Sequence, residues 1–174
     1  FISAIFYWRR LDNDPSAKLR KDNFLLKLPL IGPLILYKEC AVFSRTLGAL
    51  LGAGIPLIRG LRVSKEVVLN SFLVKHLNDV EEDVRGGAGL GLSLEKTGVF
   101  PTLLHQLVTV GEESGRTSSI LVKSAGTFEN FVRNQMSAIV SALQPALIIF
   151  LAIAVGGITI TMLSAVFSMN AVEF

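Results

Sequence analysis

The chain has 174 residues, of which 51% are hydrophobic, and its 17 lysines and arginines against 14 aspartates and glutamates give a net charge of +3. The single cysteine, Cys40, excludes a disulfide framework and a cysteine zinc site, and two histidines argue against a histidine-rich metal site. Composition therefore predicts no metal and no cofactor, and the small basic excess does not by itself indicate a nucleic-acid partner.

Residues 1–8 are apolar and are followed directly by Arg9 and Arg10. The run is too short to cross a bilayer, so we interpret it as the end of a truncated transmembrane helix, the alternative being an N-terminal stub packed on the domain. All 17 lysines and arginines fall within residues 9–133. Because cytoplasmic segments carry such an excess, this distribution predicts that residues 9–133 lie in the cytoplasm. The basic cluster close to the first apolar run also favours contact with anionic membrane lipid.

The segment 9–33 is predicted to be a cytoplasmic connector. It has a turn signal at 12–15, and two prolines interrupt the apolar run LPLIGP at 28–33. Residues 34–133 instead show apolar residues at steps of three and four, with no convincing strand alternation. The sequence therefore predicts an all-α fold, with a cytoplasmic bundle of about six helices.

Glycine, proline and asparagine mark the predicted helix ends. The run from Gly52 to Gly54 ends the first helix of the bundle, and Pro56 prevents its simple continuation. Asn70 suits the N-cap of a later helix. The apolar stripe of that helix is Leu73, Leu77, Val80 and Val84. The glycine run at 86–91 stops it, and this run lacks the spacing and the flanking strand of a phosphate-binding loop.

Two charged clusters are candidate partner-binding sites. The cations Arg59, Arg62 and Lys65 lie three apart on one predicted helix face. The acidic run Glu81, Glu82 and Asp83 is predicted to face water. The first cluster suits an acidic partner or lipid headgroups, and the second suits a basic partner or a cation, but either pattern is also typical of a plain solvated face.

The motif VGEESGR at 110–116 predicts a corner between two helices. Gly111 permits close packing, and Gly115 can adopt positive φ. Ser114 or Glu112 can accept hydrogen bonds from amides at the start of the following helix. For three charged residues of the motif, partner contact and local capping remain open alternatives: Glu112, Glu113 and Arg116. No nucleophile lies beside His105 or Glu112, so the sequence predicts no catalytic site.

The last predicted helix begins near Thr117 and continues into the longest apolar run. No charged residue occurs between Arg133 and Glu173. A helix rises about 1.5 Å per residue, so roughly 20 residues cross the ~30 Å core of a bilayer. The segment 134–174 is therefore predicted to be a helix extension and a transmembrane helix, with the span at 145–167 and the C-terminus beyond the membrane. Gly156 and Gly157 predict a notch for another membrane helix.

Six motifs in this order resemble the type II secretion F-protein family. They are LPLIGP (28–33), FSRTLG (43–48), GAGIPL (52–57), GLSL (91–94), FP (100–101) and VGEESGR (110–116), ahead of a C-terminal span. The resemblance covers essentially the whole chain and identifies it with the second helical cytoplasmic domain and the last span. The chain departs from the family pattern in two places: TSS stands at 117–119, where the family often has a leucine and an acidic residue, and the glycine run at 86–91 is longer than usual.

The resemblance implies a non-enzymatic platform protein of the bacterial inner membrane, multi-pass and acting in type II secretion or type IV pilus assembly. Its implied partners are a hexameric secretion or pilus ATPase, pilin or pseudopilin subunits, other inner-membrane assembly proteins and a second copy of itself. Two other classes remain open. A membrane-anchored adaptor or signalling domain needs only the anchor and the bundle, whereas a solute transporter fragment would carry ionisable groups inside its span, and none lies within 145–167.

Overall fold

The computed structural model describes residues 15–170. Every regular element within that range is a helix, which confirms the all-α prediction. The seven described helices are α1 (Pro15–Lys27), α2 (Ile31–Gly52), α3 (Leu57–Glu66), α4 (Ser71–Arg85), α5 (Leu90–Lys96), α6 (Thr102–Glu113) and α7 (Thr117–Asn170). The predicted helix end at residues 1–8 lies outside the described residues. The chain divides into two compact units, Phe1–Val132 and Arg133–Phe174.

The segment predicted as a connector contains a helix, α1, and the next helix begins earlier than the periodicity indicated. α2 begins at Ile31 and not at residue 34, so Pro33 lies in its first turn. The first amides of a helix have no partner within it, and a proline there interrupts no hydrogen bond. Gly32 allows the two helices to meet closely, because a Cβ at this position would lie 2.1 Å from the Leu26 carbonyl oxygen.

One apolar core holds the first unit together. Its largest fully buried side chains come from α2 to α7: Phe43, Leu47, Leu61, Leu73, Leu77, Val80, Leu90, Leu94, Leu104, Val108, Leu121 and Phe128. The predicted stripe of α4 is buried throughout, as expected for an amphipathic helix. Asn70 is the N-cap of α4, and its side chain accepts hydrogen bonds from the Phe72 and Leu73 amides, both at 3.1 Å.

The beginning of α7 packs against α2. A Cβ on Gly48 would lie 2.9 Å from Cγ2 of Val122 and 3.0 Å from the Ser118 carbonyl oxygen, so only glycine fits this crossing. The Ser118 hydroxyl donates to the Gly48 carbonyl at 2.8 Å. Further along the same crossing, the Arg45 guanidinium binds both carboxylate oxygens of Glu129, at 2.6 and 2.7 Å. Tight packing and a bidentate ion pair therefore join α2 to α7.

The described part of the second unit is the remainder of α7. Among the described residues, α7 is the single helix that is long and apolar enough to cross a membrane, with a mean hydropathy of 2.4 over its most apolar window. Pro145 lies inside the helix. The hydroxyls of Thr159 and Thr161 donate to the carbonyls of Val155 and Ile158, at 2.9 and 2.8 Å. These polar groups are therefore satisfied within the helix, as an apolar environment requires.

Candidate partner-binding surface

A cluster of charges joins α3 to α4, centred on the Glu81 carboxylate. The Glu81 side chain is only 8% exposed. It accepts hydrogen bonds from the Lys65 ammonium, from Arg85 at 2.5 Å and from Arg62 at 3.4 Å. Lys65 also donates to the Asn78 amide oxygen at 2.6 Å. We call these four ionised residues, Arg62, Lys65, Glu81 and Arg85, the Glu81 cluster.

The interpretation of Glu81 as a water-facing residue was wrong. Its carboxylate is buried at the edge of the α4 stripe and paired with three cations, so its first role is to hold α3 on α4. The hydrogen bond from Lys65 lowers the pKa of Glu81, and the positive charges of Lys65, Arg62 and Arg85 add to that shift against the opposing effect of burial. Glu81 is therefore ionised at neutral pH.

The other predicted charges of this region remain at the surface. Arg59 and Glu82 are exposed, and the Arg62 side chain is 60% exposed although it contacts Glu81. Asp83 accepts from the Lys96 ammonium at 3.0 and 3.1 Å, which links α4 to α5. Arg62 and Arg85 therefore present guanidinium groups at the surface beside one buried carboxylate, and Arg59 is exposed about one turn before Arg62 on α3. With three cations against one carboxylate, the face of the Glu81 cluster is basic.

Glu112 caps a helix other than the one the sequence indicated. Its two carboxylate oxygens accept from the Leu90 amide at 2.6 Å and from the Gly91 amide at 2.9 Å. These amides begin α5, which precedes Glu112 in the chain, so the expected capping of the following helix by Glu112 was wrong. A carboxylate at a helix N-terminus satisfies orphan amides and complements the helix dipole. Glu112 is thereby committed to an internal contact.

Replacing this cap should loosen α5 locally. We expect Glu112→Gln to destabilise the α5 start by about 1–2 kcal/mol, because one amide loses its acceptor and the other keeps only a neutral one. Hydrogen exchange of the α5 amides, followed by mass spectrometry, should then be roughly tenfold faster. The matched variant Glu113→Gln, at an exposed neighbour, should leave this exchange unchanged. Equal exchange in both variants would contradict the capping role.

The other residues of the α6–α7 corner are either fixed by local packing or exposed at the surface. Gly115 has φ of +65° and Gly111 is buried, with a Cβ position 3.0 Å from the Thr117 Cα, so both glycine predictions are confirmed. The Ser114 hydroxyl does not accept from the next helix but donates to the Val110 carbonyl at 2.7 Å, at the end of α6. Glu113 and Arg116 are exposed and remain candidates for partner contact.

Two predictions on glycines have different outcomes. Gly52 ends α2 as expected, Gly54 follows with φ of +80°, and Pro56 is the residue before α3. A Cβ added to Gly156 or Gly157 would meet no described atom within 4 Å, so the notch for a second membrane helix stays a prediction.

Within residues 15–170, no group of three or more histidine, cysteine or acidic side chains is arranged to hold a metal.

Comparison with known proteins places these features in a family. Residues 43–165 match the family described as Type II secretion system (T2SS), protein F. The chain is 33% identical to the Type II secretion system protein F of Pseudomonas aeruginosa over 97% of this chain and 42% of that protein. It is 39% identical to the protein of the same name from Xanthomonas campestris over 71% of this chain and 31% of the relative.

Similarity extends to pilus proteins. The chain is 30% identical to the Type IV pilus assembly protein PilC of Pseudomonas aeruginosa, over 97% of this chain and 46% of that protein. The chain thus spans less than half the length of these relatives. The family match covers well over half of the chain and includes the α2–α7 crossing, the Glu81 cluster and the apolar run. The chain therefore belongs to the type II secretion system protein F family.

Proposed function

We propose that the chain is part of an inner-membrane platform protein of a type II secretion or type IV pilus machine. In this role it is a scaffold and not an enzyme. It passes the motion of a cytoplasmic hexameric ATPase to pilin or pseudopilin subunits, and so supports their assembly and protein export. Membership of the family and the names of its relatives support this proposal.

The observation that carries the proposal is that α7 has two different parts, one packed in the core of the bundle and one uncharged and apolar. Its first part supplies Leu121, Ala125 and Phe128 to the core of the bundle. The same helix contains the uncharged run that is long enough to cross a bilayer. A partner that moves the bundle therefore acts on a helix that also enters the membrane, with no intervening linker. Mechanical coupling requires such continuity.

The proposed placement follows from the distribution of charge. Residues 9–133 lie in the cytoplasm, the span at 145–167 lies in the bacterial inner membrane and the C-terminus lies on the far side. The full-length protein is multi-pass and homo-oligomeric in this proposal. Gly156 and Gly157 would then face another membrane helix, either of a pilin-like subunit, of another assembly protein or of a second copy.

The basic face around the Glu81 cluster is the proposed docking site for the ATPase. Arg59, Arg62 and Arg85 present guanidinium groups at or near the surface, and arginine is the cation best suited to bidentate contact with carboxylates. Glu82 at its edge, and Glu113 and Arg116 at the α6–α7 corner, are further candidate contacts. The partner surface in this proposal is acidic.

Neutralising this face should weaken ATPase recruitment. We expect the double variant Arg59→Glu/Arg62→Gln to bind the ATPase at least about tenfold more weakly, since charges at an interface set association rate and register. Glutamine at 62 avoids placing a second carboxylate beside Glu81. The assay is co-sedimentation of the purified ATPase with vesicles that contain the full-length protein.

Two controls make the result specific. The variant Lys38→Glu/Lys123→Gln makes the same change of charge at exposed positions of α2 and α7. It should recruit the ATPase as the wild type does. Equal recruitment by the Arg59/Arg62 variant would overturn the docking site. Failure of the wild-type protein to recruit the ATPase at all would favour a membrane-anchored adaptor.

A further inference from the structure

The outer face of α1 and the turn after it combine cations with exposed apolar side chains. Phe24 is 66% exposed and Leu30 is 76% exposed. Arg20 and Lys27 flank Phe24 on the same helix face, at spacings of four and three residues, and both are at the surface. We call Arg20, Phe24, Lys27, Leu30 and Ile31 the α1–α2 corner.

The opposite face of α1 is fixed to the bundle. The buried Asp22 carboxylate accepts from the Ser71 amide at 2.7 Å, at the start of α4. Asn70 donates from its side-chain nitrogen to the Asp22 carbonyl at 3.4 Å. Leu26 packs on the core. At about 100° per residue, positions 22 and 26 each lie about 160° around the helix from position 24, so these contacts leave Phe24 on the exposed face.

The tip of the corner is also constrained. The Gly32 amide donates to the Leu28 carbonyl at 2.8 Å, and the Leu28 amide donates to the Leu25 carbonyl at 3.3 Å. Gly32 is buried against the backbone of Leu26. The turn therefore holds Leu30 and Ile31 outward in a defined position, and their exposure does not result from a loose loop.

The charges of α1 suit an anionic surface. The helix carries four cations, Lys18, Arg20, Lys21 and Lys27, and its single carboxylate, Asp22, is turned into the bundle. Exposed cations beside large apolar side chains suit the interface of an anionic bilayer, where the cations meet headgroups and the apolar side chains reach the acyl chains. A soluble partner would need a complementary apolar pocket, whereas a bilayer accepts any such face.

We infer that the α1–α2 corner docks on the anionic lipid surface of the membrane that holds α7. The sequence before α1 agrees with this placement, since the apolar residues 1–8 and two arginines lie only a few residues upstream. The inference requires that the chain be in a membrane, but it does not depend on ATPase binding or pilin assembly. Its consequence is a bundle whose orientation on the bilayer depends on lipid charge.

A fluorescent probe at the tip tests this inference. The full chain carrying Leu30→Cys is labelled with an environment-sensitive fluorophore and placed in vesicles of phosphatidylcholine with or without phosphatidylglycerol. Cys40 is 1% exposed and burial raises the pKa of its thiol, so labelling is specific for the introduced cysteine. We expect a blue shift of the emission, and loss of most of the emission with brominated lipid, in the anionic vesicles only.

Position and charge are controlled separately. A probe at Leu92→Cys, a similarly exposed leucine on α5, should show neither the shift nor the quenching. Adding Arg20→Gln and Lys27→Gln to the Leu30→Cys chain should reduce quenching severalfold, since each cation contributes to binding of an anionic surface. Lys38→Gln and Lys123→Gln should not reduce it.

Three results would overturn the inference. They are equal quenching at positions 30 and 92, quenching at position 30 that is the same in neutral and anionic vesicles, and a blue shift without quenching by brominated lipid. The last result would assign the corner to a protein contact, either within the chain or with a second copy. None of these measurements involves the ATPase, so the outcome is independent of the proposed coupling function.

Discussion

Glu81→Gln should destabilise the bundle by about 2–3 kcal/mol, although it leaves the volume of the side chain almost unchanged. The variant removes the charge that compensates Lys65, whose side chain is only 15% exposed, and leaves Arg62 and Arg85 beside a neutral amide. A cation left in a partly buried site without its carboxylate costs more than an exposed ion pair is worth. The effect should therefore exceed that of any exposed charge in α4.

Cys40 provides the measurement. It is the only cysteine of the chain, and it is buried, so a thiol reagent labels it when the bundle opens. A loss of about 2–3 kcal/mol corresponds to labelling roughly 30- to 150-fold faster. Glu82→Gln changes the neighbouring residue, which is exposed, and should alter the rate less than about threefold. Equal rates in the two variants would contradict the role of the Glu81 cluster.

The comparison of Glu81→Gln with the wild-type protein should also depend on pH. The pKa of Glu81 is lower in the folded bundle than in the unfolded chain, mainly because of the hydrogen bond from Lys65. Its contribution to stability is therefore complete above the ordinary glutamate pKa of about 4.3 and is lost as pH falls through the lower folded value. The ratio of variant to wild-type labelling rates should stay constant from neutral pH to about 5 and decline below about 4. A dipyridyl disulfide, which reacts with thiols in acid, makes the comparison possible.

Local signals in the sequence predicted most of the fold. Asn70 is an N-cap because its side chain reaches amides two and three residues on, and Gly115 adopts positive φ at a helix end. Both features depend on a few adjacent residues. The start of α7 at Thr117 and its continuation into the apolar run were predicted for the same reason. The start of α2 was predicted three residues too late because proline was given too much weight, although Pro33 occupies a first turn where it interrupts no hydrogen bond.

The contacts that define the candidate surface join residues far apart in sequence. Glu81 follows the buried Val80 at the edge of the α4 stripe, where helical spacing alone allows either burial or exposure. Its burial depends on Lys65 of α3, which lies 16 residues earlier. Glu112 caps an amide 22 residues earlier, and no local pattern encodes that choice. Whether a charged residue near the edge of an apolar stripe is buried or exposed therefore depends on how the helices pack. The roles of such residues as partner contacts stay predictions until recruitment is measured.

Gly91→Ala should destabilise the bundle by at least about 2 kcal/mol, even though alanine favours helix. A Cβ at residue 91 would lie 2.1 Å from the Thr109 hydroxyl oxygen, 2.8 Å from the Thr109 amide nitrogen and 2.9 Å from its Cα. Rotation of the Thr109 side chain relieves only the first of these contacts, so α5 and α6 have to move apart. The Glu112 carboxylate would then lose its bond to the Gly91 amide. Labelling of Cys40 should be at least roughly 30-fold faster.

Gly126→Ala is the matched control, since it makes the same substitution in a helix where a Cβ would meet no atom of the described residues within 4 Å. Its expected effect is opposite in sign, because alanine lowers the entropy of the unfolded chain and suits a helix interior by about 0.5–1 kcal/mol. Labelling of Cys40 should therefore slow by a few-fold. If Gly91→Ala also slowed labelling, the close approach of α5 and α6 would not constrain the bundle, and helix propensity alone would decide both results. Faster labelling in Gly91→Ala with slower labelling in Gly126→Ala would instead show that the α5–α6 contact, and with it the Glu112 cap, limits the opening of the core.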